Sequence, residues 1–321
     1  MSGETLASAP PPAHVTTHPV GDRLAERVAE RRSQIVLGVD PDPARLWPAA
    51  REAAGRDGDP LVRAGRAVAA HCRLLLDAAG GECVAVKFQV ACFERLGAPG
   101  WAALADAIGA ARDRGLLVIA DAKRGDIDIS ARAYGQAFFG GCEGPFGPLP
   151  GLGADLLTAN PLLGRDSLAA LLSEARAVGG GLFVLVRTSN PGAADVQDLE
   201  LASRGTVSDA LASLVAELGS DRVGSHGLSD VGAVTGATAP EHLARLREAM
   251  PRAVLLLPGI GAQGASGEGL EAAFGPGPAG GLVSASRAIV YAADARGGGE
   301  PAGAARAEAA RLRELVWNLY A

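Results

Sequence analysis

The stretch Val118–Ser130, VIADAKRGDIDIS, begins like a buried strand and ends as a cluster of charge. Three apolar residues lead into Asp121, Lys123, Arg124, Asp126 and Asp128, with Gly125 as the one obvious turn residue. Unpaired charge is costly to bury, so such a cluster is solvated, mutually neutralised or built for chemistry. On a strand, residues two apart share a face, which places Asp121 and Lys123 together. Lys87, in VAVKF, can join them from an adjacent strand end. Ammonium and carboxylate groups in alternation hold one another's charge at neutral pH. An ion-pair network that merely closes the top of a barrel fits this spacing. So does chemistry that leaves negative charge on carbon, where a preorganised lysine stabilises the carbanion and then protonates it.

A second cluster lies near the C-terminus. Gly259-x-Gly261-x-x-Gly264, in PGIGAQG, formally matches a dinucleotide fingerprint, which also wants an acidic residue about 20 positions later on the next strand. Here the next strand, GLVSASRAI, runs instead into Ser286 and Arg287. Glycine N–H groups near an arginine suit a phosphate monoester at least as well, and an ordinary loop with a surface ion pair is the plainer alternative. Asp40, in LGVDPDP, is placed to take ribose hydroxyls or simply to turn the chain before Pro41. Ser189, in RTSNPGA, is placed to meet a base edge or only to shape the loop before Pro191.

Something must bring these residues to one place. Eight short apolar runs recur along the chain: Ile35–Asp40, Val84–Phe88, Leu116–Asp121, Asp155–Asn160, Leu182–Ser189, Val231–Thr238, Ala253–Gly261 and Gly281–Ile289. Longer stretches with apolar residues at spacings of three and four separate them, often ending in Gly or Pro, as helices do. Strands apolar throughout suit a parallel sheet covered by helices. Eight strand–helix repeats predict an α/β fold, a (β/α)8 TIM barrel of one domain over residues 21–321. Such barrels carry their active sites at the C-terminal ends of the strands, where the polar residues above gather. Gly140–Gly153 and Gly275–Gly281 read as surface connections, and the last twenty or so residues as a helix.

Composition narrows the function classes. The chain has 321 residues, 48% hydrophobic and 21% charged, which is ample for a core. A formal net charge of -6 argues against a nucleic-acid coat and leaves a local basic pocket open. The four cysteines form no C-x-x-C pair, and the five histidines show no ligand-like spacing, so no zinc site is expected. No run approaches the roughly 18 apolar residues of a membrane span. Residues 1–20, rich in Pro, Ala, Ser and Thr, read as a disordered tail rather than a targeting peptide, so a reducing cytoplasm is expected.

Taken together, Lys87, DAKRGDI, RTSNPGA, PGIGAQG and SASRAI resemble the orotidine 5'-monophosphate decarboxylase family, in its longer bacterial branch, from about Ser33 to Tyr291. The resemblance implies a decarboxylase without metal or cofactor that makes UMP and CO2 in pyrimidine biosynthesis. It implies a charged tetrad of Lys87, Asp121, Lys123 and Asp126, with Lys123 protonating a C6 vinyl carbanion. It also implies a homodimer in which Asp126, Ile127 and Ser130 reach into the partner's site. Asp40 would hold the ribose, Ser189 the pyrimidine amide edge, and Gln263 would link base to phosphate. Arg287 and loop residues including Pro258, Gly261 and Ser286 would grip the phosphate. Two features depart from the pattern: Ser130 stands where the family has Thr, and Asp128–Ile129 where a Gly–Ser pair is common.

Three other readings predict different behaviour. Sister barrels acting on sugar phosphates hold Mg2+ partly by a carboxylate where this chain has Lys87. A nicotinamide-dependent dehydrogenase would follow from the glycine fingerprint. A binding protein would keep the pocket without turnover, but both lysines and both tetrad carboxylates are present.

Overall fold

The computed structural model describes residues 16–202, 205–236, 240–259 and 269–320. All eight expected strands form: β1 (Ile35–Val39), β2 (Ala85–Gln89), β3 (Leu117–Arg124), β4 (Leu156–Ala159), β5 (Gly181–Arg187), β6 (Val231–Thr235), β7 (Leu255–Pro258) and β8 (Gly281–Ala285). They pair in parallel and close into a barrel, with β1 bonded to both β2 and β8. Helices α1 (Val20–Arg31), α2 (Pro60–Ala79), α3 (Gly97–Asp113), α4 (Asp128–Phe138), α5 (Arg165–Ala177), α6 (Val207–Leu218), α7 (Pro240–Ala249) and α8 (Pro301–Tyr320) accompany them. Between β7 and β8 the described residues form two short 3-10 turns, Glu271–Phe274 and Pro278–Gly280, rather than a full helix.

Strand alternation sorts the core into two layers. Val36, Ala85, Leu117, Ile119, Leu156, Phe183, Leu256 and Leu282 fill the barrel interior. Their neighbours Leu37, Val86, Phe88, Val118, Leu157 and Val283 pack outward against the helices. The floor is closed by α1, whose Val20, Leu24 and Val28 join the interior cluster. The Asp22 carboxylate fastens α1 there by accepting from the Ser225 and His226 N–H groups at 2.9 and 2.8 Å.

Three boundaries differ from expectation. Val20, assigned above to the tail, is buried at the start of α1, and the Thr16 N–H bonds Val178 O. Residues 1–15 lie outside the described residues. Gly140–Gly153 is no plain connection: it holds an antiparallel ribbon, Cys142–Gly144 with Gly147–Leu149. The third strand does not stop at Asp121 but carries its charged residues as far as Arg124.

Candidate active site

Several inward-facing rows of the barrel end in a polar residue at the mouth. On β3 the row Leu117, Ile119 continues to Asp121; on β2 the row from Ala85 continues to Lys87; on β4 Leu156 is followed by Thr158. These side chains meet. Asp121 Oδ2 accepts from Lys87 Nζ and Oδ1 from Lys123 Nζ, both at 2.6 Å. Thr158 Oγ1 donates to Asp121 Oδ1 at 3.0 Å. Asp40, past the end of β1, stands 3.9 Å from Lys87 Nζ.

The backbone at this point is irregular. Pairing between β3 and β4 slips between Ala120 and Arg124, and Lys123 adopts φ +51°, a left-handed conformation that costs a non-glycine residue about 1 kcal/mol. Thr158 Oγ1 accepts the Lys123 N–H at 2.9 Å, in place of a ladder bond. Strain held at a cluster of charge, with a side chain built to satisfy it, is characteristic of functional sites. Gly125 permits the next close approach, since a Cβ there would sit 2.8 Å from Asn160 O. Gly38 does the same between β1 and β8, where a Cβ would lie 2.7 Å from Ser286 Cβ.

Electrostatics keep the array ionised. Burial alone would raise the Asp121 carboxyl, but the Lys87 and Lys123 ammoniums outweigh it and hold the group at about 2. Burial would push Lys87 down, yet Asp121 and Asp40 hold its ammonium above the ordinary value. Lys87 and Asp121 are buried, whereas the Lys123 side chain is 44% exposed, so its remaining N–H bonds face the mouth. The arrangement presents a partly exposed ammonium above a buried carboxylate, with a second, buried ammonium behind it.

Not all of the opening charge cluster joins in. Arg124 turns outward, pairing with Glu94 and lying 5.2 Å from the Tyr134 ring centroid. Asp126 makes no ion pair with the lysines among the described residues; its carboxylate accepts the Ile127 N–H at 2.8 Å. Ile127, Asp128 and Ser130 are exposed at the start of α4. Ser189, Pro258 and Ser286 are half-buried at the ends of β5, β7 and β8, and Arg287 is exposed at the first position of a short helix after β8. Gly261 and Gln263 lie outside the described residues. Asp40 Oδ1 is buried without a hydrogen-bond partner. Sequence reasoning passed over Thr158, although it is a hydroxyl on the inward row of an expected strand end, the same signal that selects Asp121.

A model of the orotidine 5'-phosphate decarboxylase / HUMPS family matches residues 34–300. The chain belongs to that family. It is 41% identical over 270 residues to the orotidine 5'-phosphate decarboxylase of Rhodopirellula baltica, covering 84% of this chain and 87% of that one. It is also 41% identical over 292 residues to the enzyme of the same name from Deinococcus radiodurans, covering 91% and 94%. Among solved structures, Leishmania donovani OMP decarboxylase is similar with a TM-score of 0.68 and 32% identity, over 93% of this chain and 97% of that one. The shared architecture is the closed parallel barrel described above.

Proposed function

We propose that the chain decarboxylates orotidine 5'-monophosphate to UMP and CO2, the reaction named in its relatives and a step of pyrimidine biosynthesis. The observation that carries the reading is the pair of lysines, each 2.6 Å from one buried aspartate at the mouth. The substrate carboxylate enters beside Asp121. The C6–carboxyl bond breaks, CO2 leaves, and the electron pair stays on C6. Lys123 Nζ gives that carbon a proton and recovers one from solvent, so the reaction consumes one proton overall. Fixed charge, already paired before substrate arrives, lowers the barrier because little has to reorganise as the carbanion forms.

The remaining residues bind. Asp40, whose Oδ1 has no hydrogen-bond partner among the described residues, takes ribose hydroxyls. Ser189 meets the amide edge of the pyrimidine, and Gln263 links base to phosphate. Arg287, with Pro258, Gly261 and Ser286, grips the phosphate, whose binding energy is spent at the distant reacting carbon. No resident metal is needed on this reading, because the ammonium of Lys87 occupies the place where a carboxylate would have to help hold Mg2+.

Asp126 completes the tetrad from a second copy of the chain. Two features support a homodimer. Asp126 pairs with no cation among the described residues, and Ile127, Ile129, Leu162 and Leu163 are exposed apolar side chains. No described helix is long and apolar enough to cross a membrane. We place the enzyme in the cytoplasm, where its four free cysteines stay reduced.

Turnover is followed as the loss of orotate-band absorbance from orotidine 5'-monophosphate with EDTA present. Wild type turns over unhindered, and Lys123→Ala loses about four orders of magnitude. Mixing inactive Lys123→Ala with inactive Asp126→Ala restores about a quarter of the activity, since half the dimers are hybrids with one intact site. Folded wild type without turnover ends the decarboxylase reading; no restoration on mixing ends the shared site.

A further inference from the structure

Between β5 and α6, residues 188–206 make a long detour of which the reading above uses Ser189 alone. Ser189 is half-buried and its hydroxyl has no partner among the described residues, while its neighbours are tied down on every side. Arg187 Nε and Nη2 donate to Asp198 Oδ1 and Oδ2 at 2.8 and 2.9 Å, a two-pronged clamp across the loop. The Thr188 N–H donates to Gln197 Oε1 at 2.7 Å, and Gln197 Nε2 donates back to Thr188 Oγ1 at 3.1 Å. The hydroxyl of Thr188 in turn donates to Asn190 Oδ1 at 2.6 Å. A backbone N–H can only donate, so the amide oxygen of Gln197 must face it, and the side chain has one orientation.

Gln197 is itself anchored. Its N–H bonds Ala193 O at 2.7 Å, and its carbonyl accepts from the Ser208 N–H at 2.9 Å, in the first turn of α6. On the opposite side Gly236, just past β6, packs close against Ser189: a Cβ there would lie 3.0 Å from Ser189 Cα. Among the described residues the Ser189 hydroxyl stays without a partner, between neighbours that are tied down.

We propose that Gln197 is a positioning residue: through Thr188 it sets the Ser189 hydroxyl for the amide edge of a pyrimidine-2,4-dione. The inference rests on the reading that Ser189 meets the base. Gln197 does not touch the ligand; it fixes the peptide next to the residue that does. Losing one half-buried hydrogen bond at that peptide is expected to weaken base binding about tenfold.

Two readouts are taken on wild type, Gln197→Met, Gln197→Glu, Ser189→Ala and the Gln197→Met/Ser189→Ala double variant: calorimetric titration with UMP, and turnover. Gln197→Met raises the UMP Kd and the KM about tenfold and leaves kcat within about threefold. Gln197→Glu, which keeps the acceptor for Thr188 N–H, stays within about threefold of wild type. The double variant matches Ser189→Ala. A Gln197→Met penalty that persists in full without the Ser189 hydroxyl, or that falls on kcat and melting temperature instead, overturns the proposal. So does a Ser189→Ala variant that binds UMP as wild type does. If wild type binds UMP with this pattern but fails to turn over, positioning stands and the decarboxylase reading falls.

Discussion

Two buried aspartates, at opposite ends of the barrel, use the same kind of interaction for different ends. Asp230, just before β6 on the floor, accepts from Arg176 Nε at 2.7 Å and Nη2 at 3.0 Å. That guanidinium also bonds Leu218 O and Asp221, so one side chain ties α5, α6 and the foot of β6 together. Each of its three nitrogens donates within the floor, and neither partner has a left-handed backbone. At the mouth, Asp121 faces two flexible ammoniums instead of one planar fork, next to a slipped register and a strained lysine. Burial lifts the Asp230 carboxyl above its ordinary value despite Arg176, whereas the two lysines drag Asp121 down to about 2. A pair that only holds the fold satisfies itself; one built for chemistry keeps surplus charge and donors pointing at the opening.

The sharpest way to break this contrast is to neutralise each aspartate in turn. Asp121→Asn leaves two ammoniums facing each other, and kcat/KM falls by about four orders of magnitude, read from initial rates. Breaking a buried pair from one side also costs stability, about 3 kcal/mol. Because the folded-state pKa of Asp121 is depressed, its ionised form stabilises the fold above the unfolded value near 4. That contribution disappears as pH falls through about 2. The stability gap between wild type and Asp121→Asn, measured by denaturant titration, should therefore hold to about pH 4 and shrink below it. A gap that closes near neutral pH would show that the lysines do not hold the carboxylate.

Asp230→Asn should give the complementary result. It lowers stability by about 3 kcal/mol, because Arg176 loses its buried counter-charge and keeps only the exposed Asp221, while kcat/KM stays within about twofold. Loss of turnover without loss of stability would mean that the floor and the mouth are coupled, and that the division drawn above is wrong.

The same contrast explains what could be read in the sequence. Strand parity alone places Lys87 and Asp121 on inward rows, and the barrel rule puts their ends at one mouth. Parity also puts Lys123 beside Asp121, and the two do meet, but it does not foresee the register slip or the Thr158 hydroxyl from a neighbouring strand that bonds both residues. Nor does it separate Arg124, which faces Glu94 outside, from the charges beside it. The expected strands at Val231–Thr238, Ala253–Gly261 and Gly281–Ile289 overran, since their loops continue the apolar and small residues of the strand. Val20 was misassigned for the opposite reason. Composition suggested a tail, although Val20, Leu24 and Val28 already carry the four-residue spacing of a buried helix face.

The smallest effect concerns a second left-handed residue. Asp128, at φ +45°, opens α4, and no side chain caps that helix at Ile127. Glycine takes this conformation freely. Asp128→Gly relieves about 1 kcal/mol of backbone strain and forfeits about half of that in the favourable interaction of an acidic group with the helix N-terminus. A net gain of about 0.5 kcal/mol corresponds to a rise of about 1 °C in melting temperature, with turnover unchanged. Lys123→Gly, at φ +51°, gains the same relief but gives up the ion pair to buried Asp121, so it should melt lower than wild type and lose turnover as Lys123→Ala does. If it melts higher instead, strain outweighs the ion pair at the mouth, and the lysine is kept for the proton it delivers.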